Sequence, residues 1–228
     1  MSSPGDRWAT FDCYGTLVDW ETGIADALTG LWPDADRPRL LERFAGAEPG
    51  IEEDGTLPYR EVLVRTTRMV ASTEGLSLRA EDEGVVAASL PTWPVFPEVP
   101  DVLRALRSRG WSLAILSNTD PDLLAASIES IGVSIDRAVT AAEAGSYKPA
   151  HGHWEKFFEL TGAQRDRHVH VAASLFHDIA PAAGEMGLRA VWINRKAEIT
   201  NLPRDAELLD LEGLPEELDR LMPTRTPE

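Results

Sequence analysis

ATFDCYGTLVD, residues 9–19, is the most informative stretch of this 228-residue chain. Trp8 to Phe11 forms an apolar run that is too short for a helix, and a turn at Gly15 follows it at once. This pattern is typical of a buried strand that ends in a tight loop. Asp12 then stands at the carboxyl end of the strand, where ligands bind in open parallel α/β sheets. A carboxylate at that place can act as a nucleophile and form a covalent ester with a substrate.

The composition limits the partners that the chain can bind. Hydrophobic residues make up 43% and charged residues 26%, which suits one globular domain or a domain with a small insertion. The net charge of −16 and the lack of any dense run of Lys and Arg argue against nucleic acid and anionic membranes as partners. An anionic small molecule can bind only where a few basic groups converge.

The expected compartment is the cytoplasm. Cys13 is the single cysteine, so an internal disulfide is excluded and a reducing compartment fits. The polar residues 1–7 do not resemble a signal peptide, and no apolar run approaches the length of a membrane span.

Hydrophobic periodicity divides the chain into two units. Residues 19–94 show helical spacing throughout, with predicted helices at 21–28, 39–44, 59–70 and 81–90. From Val99 onwards helices and strands alternate. The predicted strands are 112–116, 137–140, 168–172 and 190–193, and the predicted helices are 101–109, 121–131, 152–160 and 179–186. Repeated units of this kind predict a parallel sheet covered by helices on both faces. The predicted α/β core therefore comprises residues 1–17 and 95–228, with a helical cap at 18–94.

Polar side chains follow two of the later predicted strands or loops. Ser117 and Asn118 come directly after a buried strand, either to bind a ligand or to cap the next helix. Asp120 is better placed as the cap, because Pro121 suits the first helical position. Lys148, in the sequence SYKP, is one of very few lysines and precedes a proline.

The motif Asp12-Cys13-Tyr14-Gly15-Thr16 resembles the first motif of the haloacid dehalogenase (HAD) superfamily. Residues 113–118, 146–149 and 169–178 resemble its second, third and fourth motifs, in the right order. The resemblance implies a Rossmann-like HAD core with a parallel sheet and an inserted helical cap subdomain. It also implies that Asp12 is the nucleophile, that Lys148 keeps it ionised and that Asp178 is the later acid.

Two departures decide the branch of the superfamily. HAD phosphatases usually carry a second Asp where this chain has Tyr14, and an acid that helps to hold magnesium where it has Ala173. Because Mg²⁺ needs several oxygen ligands, the loss of both carboxylates favours carbon–halogen cleavage without a cofactor. A Mg²⁺-dependent phosphatase, with Asp12 and Asp178 on the metal, remains the alternative. A catalytically silent HAD-like binding protein is a third reading, since Leu175 also departs from the dehalogenases.

The resemblance also implies a set of substrate contacts and partners. An early Arg of the cap is implicated in carboxylate or halide binding, and two arginines are candidates for this role. The predicted substrate-binding residues are Tyr14, Thr16, Ser117, Asn118, Ser174, Arg43 and Arg60. The expected partner is a small anionic organic substrate, and a homodimer is left open.

Overall fold

A six-stranded parallel sheet forms the centre of the molecule, with the strand order β3-β2-β1-β4-β5-β6. The computed structural model describes residues 6–52, 55 and 57–224. The strands are β1 (Arg7–Phe11), β2 (Trp111–Ser117), β3 (Arg137–Thr140), β4 (His168–Ala172), β5 (Arg189–Ile193) and β6 (Ala206–Leu208). The predicted parallel α/β sheet is thus confirmed. The short edge strand β6 was not predicted.

Strand β1 lies inside the sheet and is buried along its whole length. Phe11 pairs with Ile115 of β2 on one side and with Val171 of β4 on the other. The order of the strands reverses between β1 and β4, so a crevice opens beyond their carboxyl ends. Asp12 follows β1 directly and therefore enters that crevice.

The helices account for most of the remaining chain. They are α1 (Trp20–Leu31), α2 (Arg37–Glu52), α3 (Tyr59–Glu74), α4 (Val85–Ser89), α5 (Val99–Ser108), α6 (Pro121–Ile131), α7 (Ala141–Ala144), α8 (Gly152–Thr161), α9 (Leu175–Glu185) and α10 (Leu214–Leu221). The single helix predicted at 81–90 is instead α4 flanked by 3₁₀ turns at Ala80–Asp82 and Leu90–Thr92. Gly84 and Pro91 stand at the two interruptions, where a regular helix is disfavoured.

Helix α9 begins four residues before the start predicted for it at 179. Its hydrogen bonds are of the π type, as in the bond from the N–H of Ile179 to the carbonyl of Ser174. This wider helix follows β4 at once and brings Asp178 to the crevice with its side chain fully buried.

Helices α1 to α4 lie between β1 and β2 in the chain and form the inserted cap. Their apolar faces belong to the same buried cluster as the sheet, through residues such as Leu28, Phe44 and Leu63. The two connections to the cap run side by side, with the N–H of Asp19 bonded to the carbonyl of Pro94 at 2.8 Å. We propose these connections as the boundaries of the cap. Within the described residues, no helix is long and apolar enough to cross a membrane.

Candidate active site

A cleft of about 620 Å³ lies between the carboxyl ends of the strands and the cap. Its volume is within the range of small-molecule sites. Asp12 lies at the base of the cleft, in a loop that turns back at Gly15. Gly15 has a φ of +91°, which L side chains rarely adopt, and its N–H bonds to the carbonyl of Val18 at 2.7 Å. The turn predicted after Asp12 is therefore present.

Two hydrogen bonds hold the carboxylate of Asp12. The hydroxyl of Thr16 donates to Oδ2 at 2.9 Å, and the ammonium of Lys148 donates to Oδ1 at 2.8 Å. The Thr16 hydroxyl in turn accepts a bond from the N–H of Ala173 at 2.9 Å, which links the loops after β1 and β4. Thr16 is fully buried and lies behind Asp12, outside the cleft. Thr16 therefore does not line the cleft, and its hydroxyl orients the carboxylate of Asp12.

Lys148 joins the two carboxylates of the site. Its Nζ lies 2.8 Å from Oδ1 of Asp12 and 2.7 Å from Oδ1 of Asp178, and it also donates to the carbonyl of Leu116. Burial alone would lower the pKa of Lys148, but the two carboxylates outweigh it and raise that pKa. The lysine is therefore a permanent cation at the base of the cleft.

The pKa values of the two acids shift in opposite directions. Burial raises the pKa of Asp12, and Asp178 adds to the rise, while Lys148 opposes it. Burial would also raise the pKa of Asp178, but Lys148 and His170 reverse this effect and hold that pKa well below its ordinary value. Asp178 accepts both of its hydrogen bonds on Oδ1, and its buried Oδ2 has no partner among the described residues.

Asn118 fixes the backbone of Lys148. Its amide donates from Nδ2 to the carbonyl of Lys148 at 3.1 Å and accepts on Oδ1 from the N–H of Lys148 at 2.7 Å. Both Asn118 and Ser117 line the cleft, and the Ser117 hydroxyl lies 3.4 Å from the N–H of Thr119. The structure therefore brings the second and third motifs together beside Asp12.

Asp120 does not cap the helix that follows it. Its carboxylate accepts bonds from the N–H groups of Tyr59 and Arg60, at the start of the cap helix α3. The expectation that the side chain of Asp120 caps α6 was wrong, because the folded chain brings two N–H groups of the cap subdomain within reach of its carboxylate. The residue joins the core to the cap.

Tyr14 lines the cleft beside Asp12. Its hydroxyl lies 3.0 Å from the hydroxyl of Ser127, and its ring packs edge-on against Trp93 of the cap. Burial raises the pKa of the phenol, so Tyr14 stays neutral across the physiological range. It offers a hydroxyl and a ring edge in place of a second carboxylate.

Ser174 and His177 form the wall after β4. The Ser174 hydroxyl accepts from the N–H of His177 and also meets its Nδ1 at 3.2 Å, so it caps α9. The other imidazole nitrogen of His177 faces Glu52 of the cap at 3.4 Å. Burial lowers the pKa of His177, but Glu52 outweighs it and raises that pKa. This pair spans the cleft between core and cap.

The cap side of the cleft is acidic. Glu48 and Glu52 of α2 line it, and the hydroxyl of Tyr59 donates to Glu48 at 2.7 Å. Burial and the neighbouring Glu52 raise the pKa of Glu48 to about 7. Near neutral pH, Glu48 therefore contributes only part of a negative charge.

The structure does not bring the two predicted cap arginines into the cleft. Arg43 pairs with Glu74 of the cap at 2.8 Å, Arg60 pairs with Asp120 and Asp122 of the core, and neither arginine lines the cleft. The guanidinium at the cleft belongs to Arg195, which stacks over Phe96 and donates to Glu98 and to the carbonyl of Thr16. Arg195 lies two residues after the end of β5, and this position after a buried strand was the signal that could have identified it.

The donor set at the base of the cleft fits Mg²⁺ poorly. Asp12 and Asp178 are the two carboxylates there, and the ammonium of Lys148 already pairs with both. Ala173, which also lines the cleft, offers a methyl group and no oxygen ligand. In the part of the chain that the structure describes, no group of three or more His, Cys, Asp or Glu side chains could hold a metal ion.

Comparisons with known proteins identify the family of the chain. The sequence model of the haloacid dehalogenase-like hydrolase family matches residues 7–184. The chain is 25% identical to the (S)-2-haloacid dehalogenase of Pseudomonas sp. strain YL over 206 residues, which cover 83% of each chain. It is also 25% identical to (S)-2-haloacid dehalogenase 1 of Pseudomonas sp. strain CBS-3, over 94% of this chain and 97% of that one.

Solved structures show the same fold. The L-2-haloacid dehalogenase of Xanthobacter autotrophicus, with chloropropionic acid covalently bound, superposes with a TM-score of 0.81. The match covers 95% of this chain and 99% of that one at 20% identity. The family model covers well over half of the chain and includes every residue of the Asp12, Lys148 and Asp178 cluster. The chain therefore belongs to the haloacid dehalogenase-like hydrolases.

Proposed function

We propose that the protein hydrolyses the carbon–halogen bond of a short 2-haloacid. The observation that carries this proposal is the position of Asp12, which lies at the base of the cleft and is held by Thr16 and Lys148. Two residues further on, the chain has Tyr14 where a phosphatase needs a second acid. A halide leaves without protonation, so the missing acid costs nothing in this reaction. The (S)-2-haloacid dehalogenases to which the chain is similar support the same substrate class.

The proposed reaction has two steps. A carboxylate oxygen of Asp12 bonds to carbon 2 of the substrate while the carbon–halogen bond breaks, and the halide leaves with the bonding electrons. Water then adds to the carbonyl carbon of the resulting ester and gives its proton to Asp178. The bond between the carbonyl carbon and the substrate oxygen then breaks, and that oxygen takes the proton of the new Asp12 carboxyl group. The 2-hydroxy acid departs, Asp12 is again a carboxylate, Asp178 releases its proton, and the net products are the hydroxy acid, a halide ion and a proton.

The positive charge of Lys148 has two roles in the proposed reaction. In the first it holds Asp12 as the anion that attacks, although burial favours the protonated acid. It also offsets the charge of an anionic substrate next to two carboxylates. Ser117 and Asn118, which line the cleft beside Lys148, are proposed to hold the substrate carboxylate, and Tyr14 is proposed to face the halogen.

A substrate screen tests the reaction class. Halide release from 2-chloro- and 2-bromoacids is measured by ion chromatography, and phosphate release is measured from small phosphate esters, each with Mg²⁺ or with EDTA. We expect halide release that persists in EDTA. Phosphate release that requires Mg²⁺, with no halide from any haloacid, would establish the phosphatase instead.

Isotope labelling tests the covalent step. A single turnover in ¹⁸O-labelled water should place the label in the carboxylate of Asp12 before it appears in product. The variant Asp12→Asn should release no halide, whereas Asp101→Asn, at an exposed carboxylate on α5, should keep the normal rate. Label that enters the product directly would exclude the ester.

A further inference from the structure

A line of four buried polar side chains runs from the cleft into the sheet. Nε2 of His170 lies 3.0 Å from Oδ1 of Asp178, and Nδ1 of His170 lies 2.8 Å from the hydroxyl of Thr10. The same hydroxyl lies 2.8 Å from Nε2 of His168. All four side chains belong to residues with no exposed surface. The proposed reaction leaves both histidines and Thr10 without a role.

The protons of this line can be assigned from its ends. Asp178 is ionised and can only accept, so Nε2 of His170 carries a proton and donates it. A ring that carries this single proton accepts on Nδ1, and the hydroxyl of Thr10 then donates to it. Since a hydroxyl has one proton, Nε2 of His168 must donate to Thr10.

The far end of the line agrees with this assignment. His168 is then left with a bare Nδ1, and that atom is buried without a hydrogen-bond partner among the described residues. Burial lowers the pKa of His168 far below its ordinary value, so the ring is neutral. Its ring packs against Phe157 and Phe158, with centroids 5.4 and 5.0 Å away. The line therefore ends against aromatic rings and gives a proton no route to solvent. This arrangement suits side chains that hold Asp178 in place rather than side chains that conduct a proton.

We propose that His170, oriented by Thr10 and His168, is a positioning residue for Asp178. Its Nε2–H and the ammonium of Lys148 both occupy Oδ1, which leaves the buried Oδ2 as the free acceptor among the described residues. On the proposed function, that oxygen takes the proton of the water that hydrolyses the ester. His170 thus acts on the second step and leaves the first step to Asp12.

Burst kinetics separate this role from a structural one. In His170→Leu the rapid release of one equivalent of halide should persist, while steady-state turnover falls by about 10- to 100-fold, less than the full loss of a general base. His170→Gln keeps an N–H that can reach Asp178 and should restore most of the turnover. Equal loss of the burst and of the steady state in His170→Leu, or a Gln variant as slow as Leu, would overturn the proposal.

The tautomers give a test that needs no activity. The chain has five histidines, so their ¹⁵N imidazole signals can be assigned with the variants His168→Phe and His170→Gln. We expect a neutral His168 protonated on Nε2, a His170 that carries a proton on Nε2, and a shift of the His170 signals in Asp178→Asn. A His170 protonated on Nδ1 alone would overturn the proposal even if the wild type released no halide. Absence of halide release with the expected tautomers would refute only the proposed reaction.

Discussion

Replacing Lys148 with Met tests the electrostatics of the site most directly. The substitution keeps similar bulk and removes an ammonium that lies 2.8 Å from Asp12 and 2.7 Å from Asp178. A cation at such a distance lowers the pKa of a carboxyl by about 1–3 units, equivalent to roughly 1.4–4 kcal/mol. Burial and Asp178 then act on Asp12 unopposed, and both raise its pKa. The ionised fraction of Asp12 therefore falls about tenfold for each unit by which its pKa exceeds the working pH.

We expect Lys148→Met to move the acidic limb of the pH profile of kcat/KM upward by about 1–3 units. Halide release is measured by initial rates across the pH range in which each variant stays folded. Stability also falls, by about 3–5 kcal/mol at neutral pH, because two buried carboxylates lose their partner. Urea unfolding monitored by circular dichroism measures this loss.

Lys156→Met provides the matched control. Lys156 lies on α8, and its ammonium pairs with Glu159 on the surface. A surface pair of this kind contributes about 0–1 kcal/mol, so rate and pH profile should stay unchanged. If Lys148→Met kept a normal rate and an unmoved acidic limb, the reasoning about Asp12 would be refuted.

Three further changes test other parts of the site and fold. Thr16→Val removes the donor to Asp12 at nearly constant shape and should lower kcat/KM by about tenfold, roughly the loss of one hydrogen bond to a charged group, while Thr16→Ser should restore it. Since the pKa of Glu48 is about 7, the cleft gains negative charge above that pH, so kcat/KM for an anionic haloacid should decline. In Glu48→Gln this decline, roughly 3- to 10-fold, should vanish, and its persistence would exclude Glu48 as the source. Leu63→Ala, in the fully buried face of α3, should lower the free energy of unfolding by about 2–5 kcal/mol in urea titrations.

The sequence alone determined the class of fold and the principal site. Strand β1 and the turn after it are local features, because a short apolar run, an acid and Gly15 are adjacent in the chain. The alternation of helices and strands predicted the parallel sheet, because the periodicity within each segment indicates whether that segment is a helix or a strand. Strands β3 and β4 were predicted with their observed limits. Edge strand β6 was missed because it has only three residues, none of them buried, which is too short for a periodic signal.

Only the tertiary structure decided which side chains meet. Lys148 stands 136 residues from Asp12 in the chain, and sheet pairing brings them to 2.8 Å. Arg43 and Arg60 were plausible from their positions, but each pairs with a carboxylate outside the cleft that only the folded chain brings within reach. The line from His170 to His168 could not be predicted from the sequence either. Alternation along β4 indicates only that the two rings lie on the same face of the sheet. Which hydroxyl lies between them depends on the register of β4 against β1, and that register exists only once the sheet has formed.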